Sequence, residues 1–137
     1  MEAAGEGRPP RVRDLMSLEP VTIRNNAPLV TADRLMREFG VSGLPVIDDE
    51  GALVGVLSRT DLMAVAGDAG IDAWQGMPVA TTMTAPALTV DADAPLADAA
   101  AKLEQHHVHR LVVIEPEGRR PIGILSTSDL VRSLVDG

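Results

Sequence analysis

Residues 16–62 recur at 83–130, and this internal duplication restricts the fold more than any other feature of the chain. Adding 67 to Met16 gives Met83, and the same shift pairs Thr22 with Thr89, Ala27-Pro28-Leu29 with Ala94-Pro95-Leu96, and Val46-Ile47 with Val113-Ile114. Glu50-Gly51 likewise meets Glu117-Gly118. One residue inserted near Arg119-Arg120 makes the shift 68, after which Gly55, Leu57, Ser58, Asp61 and Leu62 meet Gly123, Leu125, Ser126, Asp129 and Leu130. Within 137 residues, two copies of this size are marginal alone and are expected to share a core. The copies differ at one informative place: Ser42-Gly43 in the first is His109-Arg110 in the second, so only the second has a cation there.

The apolar share of 45% includes only Phe39 and Trp74 as aromatics, so aliphatic residues and Met must fill the core, and any bound base would sit mainly between aliphatic side chains. A net charge of −8 argues against a nucleic-acid or anionic-membrane surface, both of which need a basic face. The absence of cysteine excludes disulfides, thiolate nucleophiles and sulfur-ligated metal sites. No apolar run approaches a membrane span, and the opening Met-Glu-Ala-Ala-Gly-Glu-Gly-Arg has no signal-peptide core. The expected compartment is the cytoplasm.

Residues 1–11 read as a loosely ordered arm of Gly, Pro and charge. The first copy is expected over 12–66, a Gly-punctuated linker over 67–78, and the second copy over 79–135. Val21-Thr22-Ile23 reads as a strand, and Ala27-Pro28 opens a helix with Leu29, Ala32, Leu35, Met36 and Phe39 at helical spacing until Gly40. Leu44–Asp48 and Leu53–Leu57 form a hairpin about Asp49-Glu50-Gly51, and Ser58 caps a closing helix. Each copy is thus strand, helix, strand, strand, helix, an α+β arrangement. Trp74, in the linker, reads as a packing plug.

This order, together with the closing Gly-Val-Leu-Ser-Arg-Thr-Asp-Leu and Gly-Ile-Leu-Ser-Thr-Ser-Asp-Leu segments and the Val-x-x-Leu-x-Val-Ile strands at 41–47 and 108–114, resembles a pair of CBS domains over residues 12–135. Val108-His109-Arg110-Leu111-Val112-Val113-Ile114 is also similar to segments of the γ subunit of AMP-activated protein kinase, where the His-Arg pair lies near nucleotide phosphates. The resemblance implies two repeats packed sheet to sheet about a pseudo-twofold axis, binding adenosine-containing ligands in clefts between them. It also implies a homodimer formed through the closing helices. Unlike the kinase subunit, this chain has no basic residue over Thr82–Pro86.

An ionised Asp can accept two hydrogen bonds from the vicinal hydroxyls of a ribose, each contributing roughly 1.5–3 kcal/mol. Asp61 and Asp129 are the candidates, and in the first turn of a helix the neighbouring backbone N–H groups can face an anion. Ser58 and Ser126, each followed three places later by Asp, equally fit plain helix caps. Arg110 offers a planar fork suited to phosphate; its alternative is an ion pair with Glu104 or Glu115. By resemblance, one cleft combines Ser58, Thr60 and Asp61 with His109 and Arg110 and takes phosphorylated adenosine. The other combines Ser126, Ser128 and Asp129 with Ser42 and Gly43 and takes an uncharged adenosyl group or binds more weakly.

His106, His107 and His109 lack a carboxylate to complete a metal set and read as a solvated helix end, so no metal is expected. His109 also offers a phosphate donor when protonated. No catalytic residues are expected, since there is no nucleophile elbow, P-loop or dinucleotide fingerprint. The expectation is a non-enzymatic regulatory module with no obligatory cofactor, binding AMP, ADP, ATP or a related adenosyl ligand and signalling to an unidentified regulated protein. The alternative is a ligand-independent dimerisation or assembly module.

Overall fold

The structure is a computed structural model that describes residues 9–18, 20–70 and 72–136; the sequence-predicted arm over 1–8 lies outside them. The described chain is α+β and runs α1 (Val12–Leu15), β1 (Ser17–Leu18), β2 (Ile23–Arg24), α2 (Leu29–Phe39), β3 (Gly43–Ile47), β4 (Leu53–Ser58), α3 (Arg59–Ala69), a 3-10 turn (Val79–Thr81), β5 (Thr89–Asp91), α4 (Leu96–His106), β6 (Arg110–Ile114), β7 (Pro121–Ser126) and α5 (Thr127–Asp136). The order strand, helix, strand, strand, helix is present in both copies. Two departures concern the leading residues. The expected strand over Val21–Ile23 is instead β2 at Ile23–Arg24, because pairing begins where Ile23 meets Val46 of β3. Pro10 and Arg11 are not a loose arm, since the Pro10 carbonyl accepts from Leu96 N–H at 2.9 Å and Arg11 forms a β-bridge with Pro95.

The chain forms two compact units. Among the described residues, unit one holds 9–18, 88–118 and 122–136; unit two holds 20–70, 72–87 and 119–121. In unit one the sheet order is β1-β7-β6-β5, with β1 antiparallel to β7 and β5 parallel to β6. In unit two the order is β2-β3-β4, with β2 parallel to β3 and β3 antiparallel to β4, and Thr84 adds an antiparallel bridge to Val56.

Each unit therefore takes its leading segment from the other copy's stretch of sequence. In unit one, Val12 N–H donates to Ala94 O (3.0 Å) and Arg13 N–H to Ala92 O (2.9 Å). In unit two the equivalent bonds run from Val79 N–H to Ala27 O (2.8 Å) and from Ala80 N–H to Asn25 O (2.9 Å). Helix starts explain why the segments are held. Pro28 and Pro95 provide no side-chain cap, so the first amides of α2 find acceptors in Met77 O (2.8 Å) and Gln75 O (3.0 Å), and that of α4 in Pro10 O.

Each unit has its own core. Unit two buries Ile23, Leu29, Ala32, Met36, Leu44, Val46, Leu57, Leu62 and Val79, with Trp74 and Met83 packed against them, so Trp74 does act as a plug. Unit one buries the equivalent Val12, Val90, Ala99, Leu103, Leu111, Val113 and Leu125. Each such Leu or Val contributes roughly 1.5–3 kcal/mol when removed from water. The alternating burial of β4 and β7 turns Gly55 and Gly123 toward the incoming segments. A Cβ at Gly55 would lie 2.8 Å from both Met83 Sδ and Thr84 O; at Gly123 it would lie 2.7 Å from both Met16 Sδ and Ser17 O. Glycine at these positions is what lets the exchanged segment approach.

Candidate functional site

Both copies end β4 or β7 in Ser and begin a helix with Asp three residues later, and both build a reciprocal cap. Asp61 N–H donates to Ser58 Oγ at 3.0 Å while Ser58 N–H donates to Asp61 Oδ2 at 3.0 Å. Asp129 N–H donates to Ser126 Oγ at 3.2 Å and Ser126 N–H to Asp129 Oδ2 at 2.8 Å. The capping role weighed for the serines is therefore present in each copy. It engages only one oxygen of each carboxylate.

The other oxygens differ. Among the described residues, no hydrogen-bond donor or cation stands on Asp61 Oδ1, and Asp61 is half-buried. Asp129 is 7% exposed, and its Oδ1 is held by Arg132 NH2 at 2.6 Å. Arg132, three residues on along α5, escaped the sequence reading. Its signal was the base at i+3 where the first copy has Ala64. Asp129, Arg132 and Ser133 of α5 face Asp14, Met16 and Ser17 across a depression of about 500 Å³ in unit one.

The starts of β3 and β6 are tied to these helix starts within each unit. In unit two the Ser42 carbonyl accepts from Arg59 N–H at 2.9 Å, and Gly43 pairs with Ser58 in the β3/β4 register. That unit therefore gathers Ser42, Gly43, Ser58, Thr60 and Asp61. In unit one the His109 carbonyl accepts from Thr127 N–H at 2.9 Å, which gathers His109, Arg110, Ser126, Ser128 and Asp129. His109 and Arg110 are exposed. Asp61 and Arg110, which the resemblance assigns to one cleft, thus belong to different units.

Of the three histidines, His107 ends α4 in the left-handed conformation (φ 54°), its N–H bonded to Glu104 O. Among the described residues no three His, Asp or Glu side chains form a group that could hold a metal. The perturbed titrating pair lies at the leading segment. Hydrogen bonding and charge from Arg13, whose Nε and NH2 both lie 2.6 Å from Asp93 Oδ1, hold the Asp93 carboxyl below its ordinary range, and Asp93 in turn raises Arg13. Among the described residues no helix is long and apolar enough to cross a membrane.

The family model described as the CBS domain matches residues 12–68 and 79–136. Inosine-5'-monophosphate dehydrogenase of Mycobacterium tuberculosis (strain ATCC 25618 / H37Rv) is 33% identical over 119 residues, which is 86% of this chain and 21% of that protein. The chain therefore spans about a fifth of that relative's length. The crystal structure of CBSX2 in complex with AMP is 34% identical, with a TM-score of 0.79 over 92% of this chain and 96% of that one. The CBS domain of the bacterial CNNM/CorC family Mg2+ transporter in complex with ATP is 25% identical, with a TM-score of 0.78 over 91% of this chain and 87% of that one.

Proposed function

Since the chain belongs to the CBS domain family, as a tandem pair, we propose that it is a non-catalytic regulatory module of the cytoplasm that binds an adenosine-containing ligand and passes its occupancy to a protein partner. The observation that carries the reading is the duplicated first-turn carboxylate. Asp61 and Asp129 each give one oxygen to their own helix start, which holds the carboxylate in place with the second oxygen directed elsewhere. A carboxylate so fixed suits a vicinal diol. The complexes of CBSX2 with AMP and of the CNNM/CorC domain with ATP support adenosine as the bearer of that diol.

The proposed first site combines Ser58, Thr60 and Asp61 with His109 and Arg110, where the guanidinium meets phosphate. The proposed second site combines Ser126, Ser128 and Asp129 with Ser42 and Gly43. A ligand that binds one arrangement of the two copies better shifts the population toward it, and the partner reads that arrangement.

Calorimetric titration of ligand-stripped protein against AMP, ADP, ATP, NADH and S-adenosyl compounds tests the reading. Asp61→Ala should abolish most binding of phosphorylated nucleotide while Asp129→Ala spares it. Arg110→Ala should weaken AMP more than adenosine by about 1.5–3 kcal/mol. Absence of any thermal shift with millimolar adenine nucleotides would defeat the proposal.

A second reading, a ligand-independent assembly module, is favoured by apolar side chains left exposed on the closing helices: Met63 at 69% on α3, and Val131 at 52% and Leu134 at 83% on α5. A homodimer through these helices is compatible with either reading. Light scattering at tens of micromolar tests it, and a monomer there would remove it.

A further inference from the structure

The contact between Arg132 and Asp129 bears on what the second site accepts. One Asp129 oxygen takes Ser126 N–H and the other takes Arg132 NH2 at 2.6 Å, so the carboxylate has protein partners on both. A ribose diol reaching this carboxylate must displace the guanidinium. The two members of the pair differ greatly in freedom, with side-chain exposures of 9% for Asp129 and 66% for Arg132. The aspartate is fixed by the helix start, whereas the arginine can swing into the depression it lines with Asp14, Met16 and Ser17. Among the described residues Asp61 has no such competitor, because Ala64 stands where Arg132 stands in α5.

We infer that Arg132 is a specificity-determining residue that closes Asp129 to neutral diols and admits a diol whose own anionic group takes over the guanidinium. This rests on the proposed role of Asp129 as a diol acceptor. For a neutral nucleoside, displacing Arg132 loses a charge-assisted contact and returns nothing to the guanidinium. For a nucleotide, the phosphate replaces the lost partner, an exchange the flexible arginine can follow. Asp14 on the same depression repels an anion, and the released guanidinium offsets it. Within its weaker binding, the second site is thereby assigned a preference for charged over neutral diols, although Ser42 and Gly43 carry no charge.

The test uses the full chain carrying Asp61→Ala, so that the Asp129 site is read alone, titrated calorimetrically with adenosine and with AMP. Adding Arg132→Ala should raise adenosine affinity about tenfold and lower the AMP-to-adenosine preference by at least that factor, since one charge-assisted contact is removed from the competition. Arg132→Gln, which keeps the side-chain length without the charge, should act in the same direction and covers the case in which the alanine variant does not fold. Unchanged or weaker adenosine binding in the folded variants overturns the inference while leaving the adenosine reading intact. If wild-type protein binds neither compound, the adenosine reading fails and the inference falls with it.

Discussion

In unit one the segment from Pro10 to Leu18 is held by backbone bonds, by β1 on β7, and by Arg13 and Arg11 at Asp93 Oδ1, 2.6 and 3.8 Å away. In unit two the matching segment from Met77 to Thr84 has the backbone bonds and one bridge to Val56, with Ala80 and Asn26 where the ion pair would be. The same division recurs at the closing helices, where Arg132 engages Asp129 but, among the described residues, Asp61 has no counterion and Ala64 stands in the arginine's place. Duplication has kept what the backbone requires and let charge diverge. Glycine at the close approach, a Ser-Asp cap and the buried aliphatic set are shared; ion pairs belong to unit one among the elements compared.

The strongest way to break this comparison is at the shared glycines. Gly123→Val and Gly55→Val should each lower stability by about 1–3 kcal/mol, because a backbone carbonyl stands within 2.8 Å of the added carbon in both units. Urea unfolding of the two variants measures it, and a tolerated substitution in one unit alone would mean that the units do not pack their segments alike.

The caps give a smaller effect. Asp61→Ala should cost about 1 kcal/mol, as loss of a helix-start acceptor usually does. Asp129→Ala should cost more, since that carboxylate is buried and Arg132 also loses its partner. A double-mutant cycle with Arg132→Ala separates the two contributions, and equal costs at Asp61 and Asp129 would remove the distinction.

Helix ends sharpen it further. Gly40 and His107 occupy the same left-handed cap after α2 and α4, at φ 65° and 54°. His107→Gly should stabilise by about 0.5 kcal/mol, relieving a conformation that a Cβ disfavours, and Gly40→His should do the reverse. Thermal melts of the pair check the sign.

The smallest effect is the pH response of the Arg13–Asp93 pair. Asp93 has its pKa depressed by folding, so its contribution is present above the ordinary carboxylate range and is lost as pH falls through the lowered native value. The pair is exposed, so the change should show at individual amides and hardly in global melting. Hydrogen exchange at Val12 and Arg13 should quicken in acid relative to Val79 and Ala80, and Asp93→Asn should abolish that difference.

Much of this was legible because it repeats locally. Apolar periodicity placed Leu29, Ala32 and Met36 on the buried face of α2, and Ser58-x-x-Asp61 read as a cap because capping is a matter of four consecutive residues. The docking of residues 10–18 was not legible. A strand as short as Ser17–Leu18 has no alternation to read, and Met16 and Met83 are equivalent by sequence, so neither says which glycine it will meet. Arg132 was missed for a related reason: a charge on an exposed helix face gains meaning only from the buried carboxylate beside it.

The exchanged leading segments also order events as the chain leaves the ribosome. Apart from Arg119–Pro121, unit two is made of one continuous stretch, Pro20–Ala87, and can begin to consolidate once that stretch has emerged. Unit one cannot. Val12 must wait until Val113 and then Leu125 of its core have followed. Until then Val12, Leu15 and Met16 lack the core they pack against in the finished fold, while unit two already holds the look-alike Val79 and Met83. The core of unit two therefore has two claimants during synthesis, and the earlier-made one must be refused for the later.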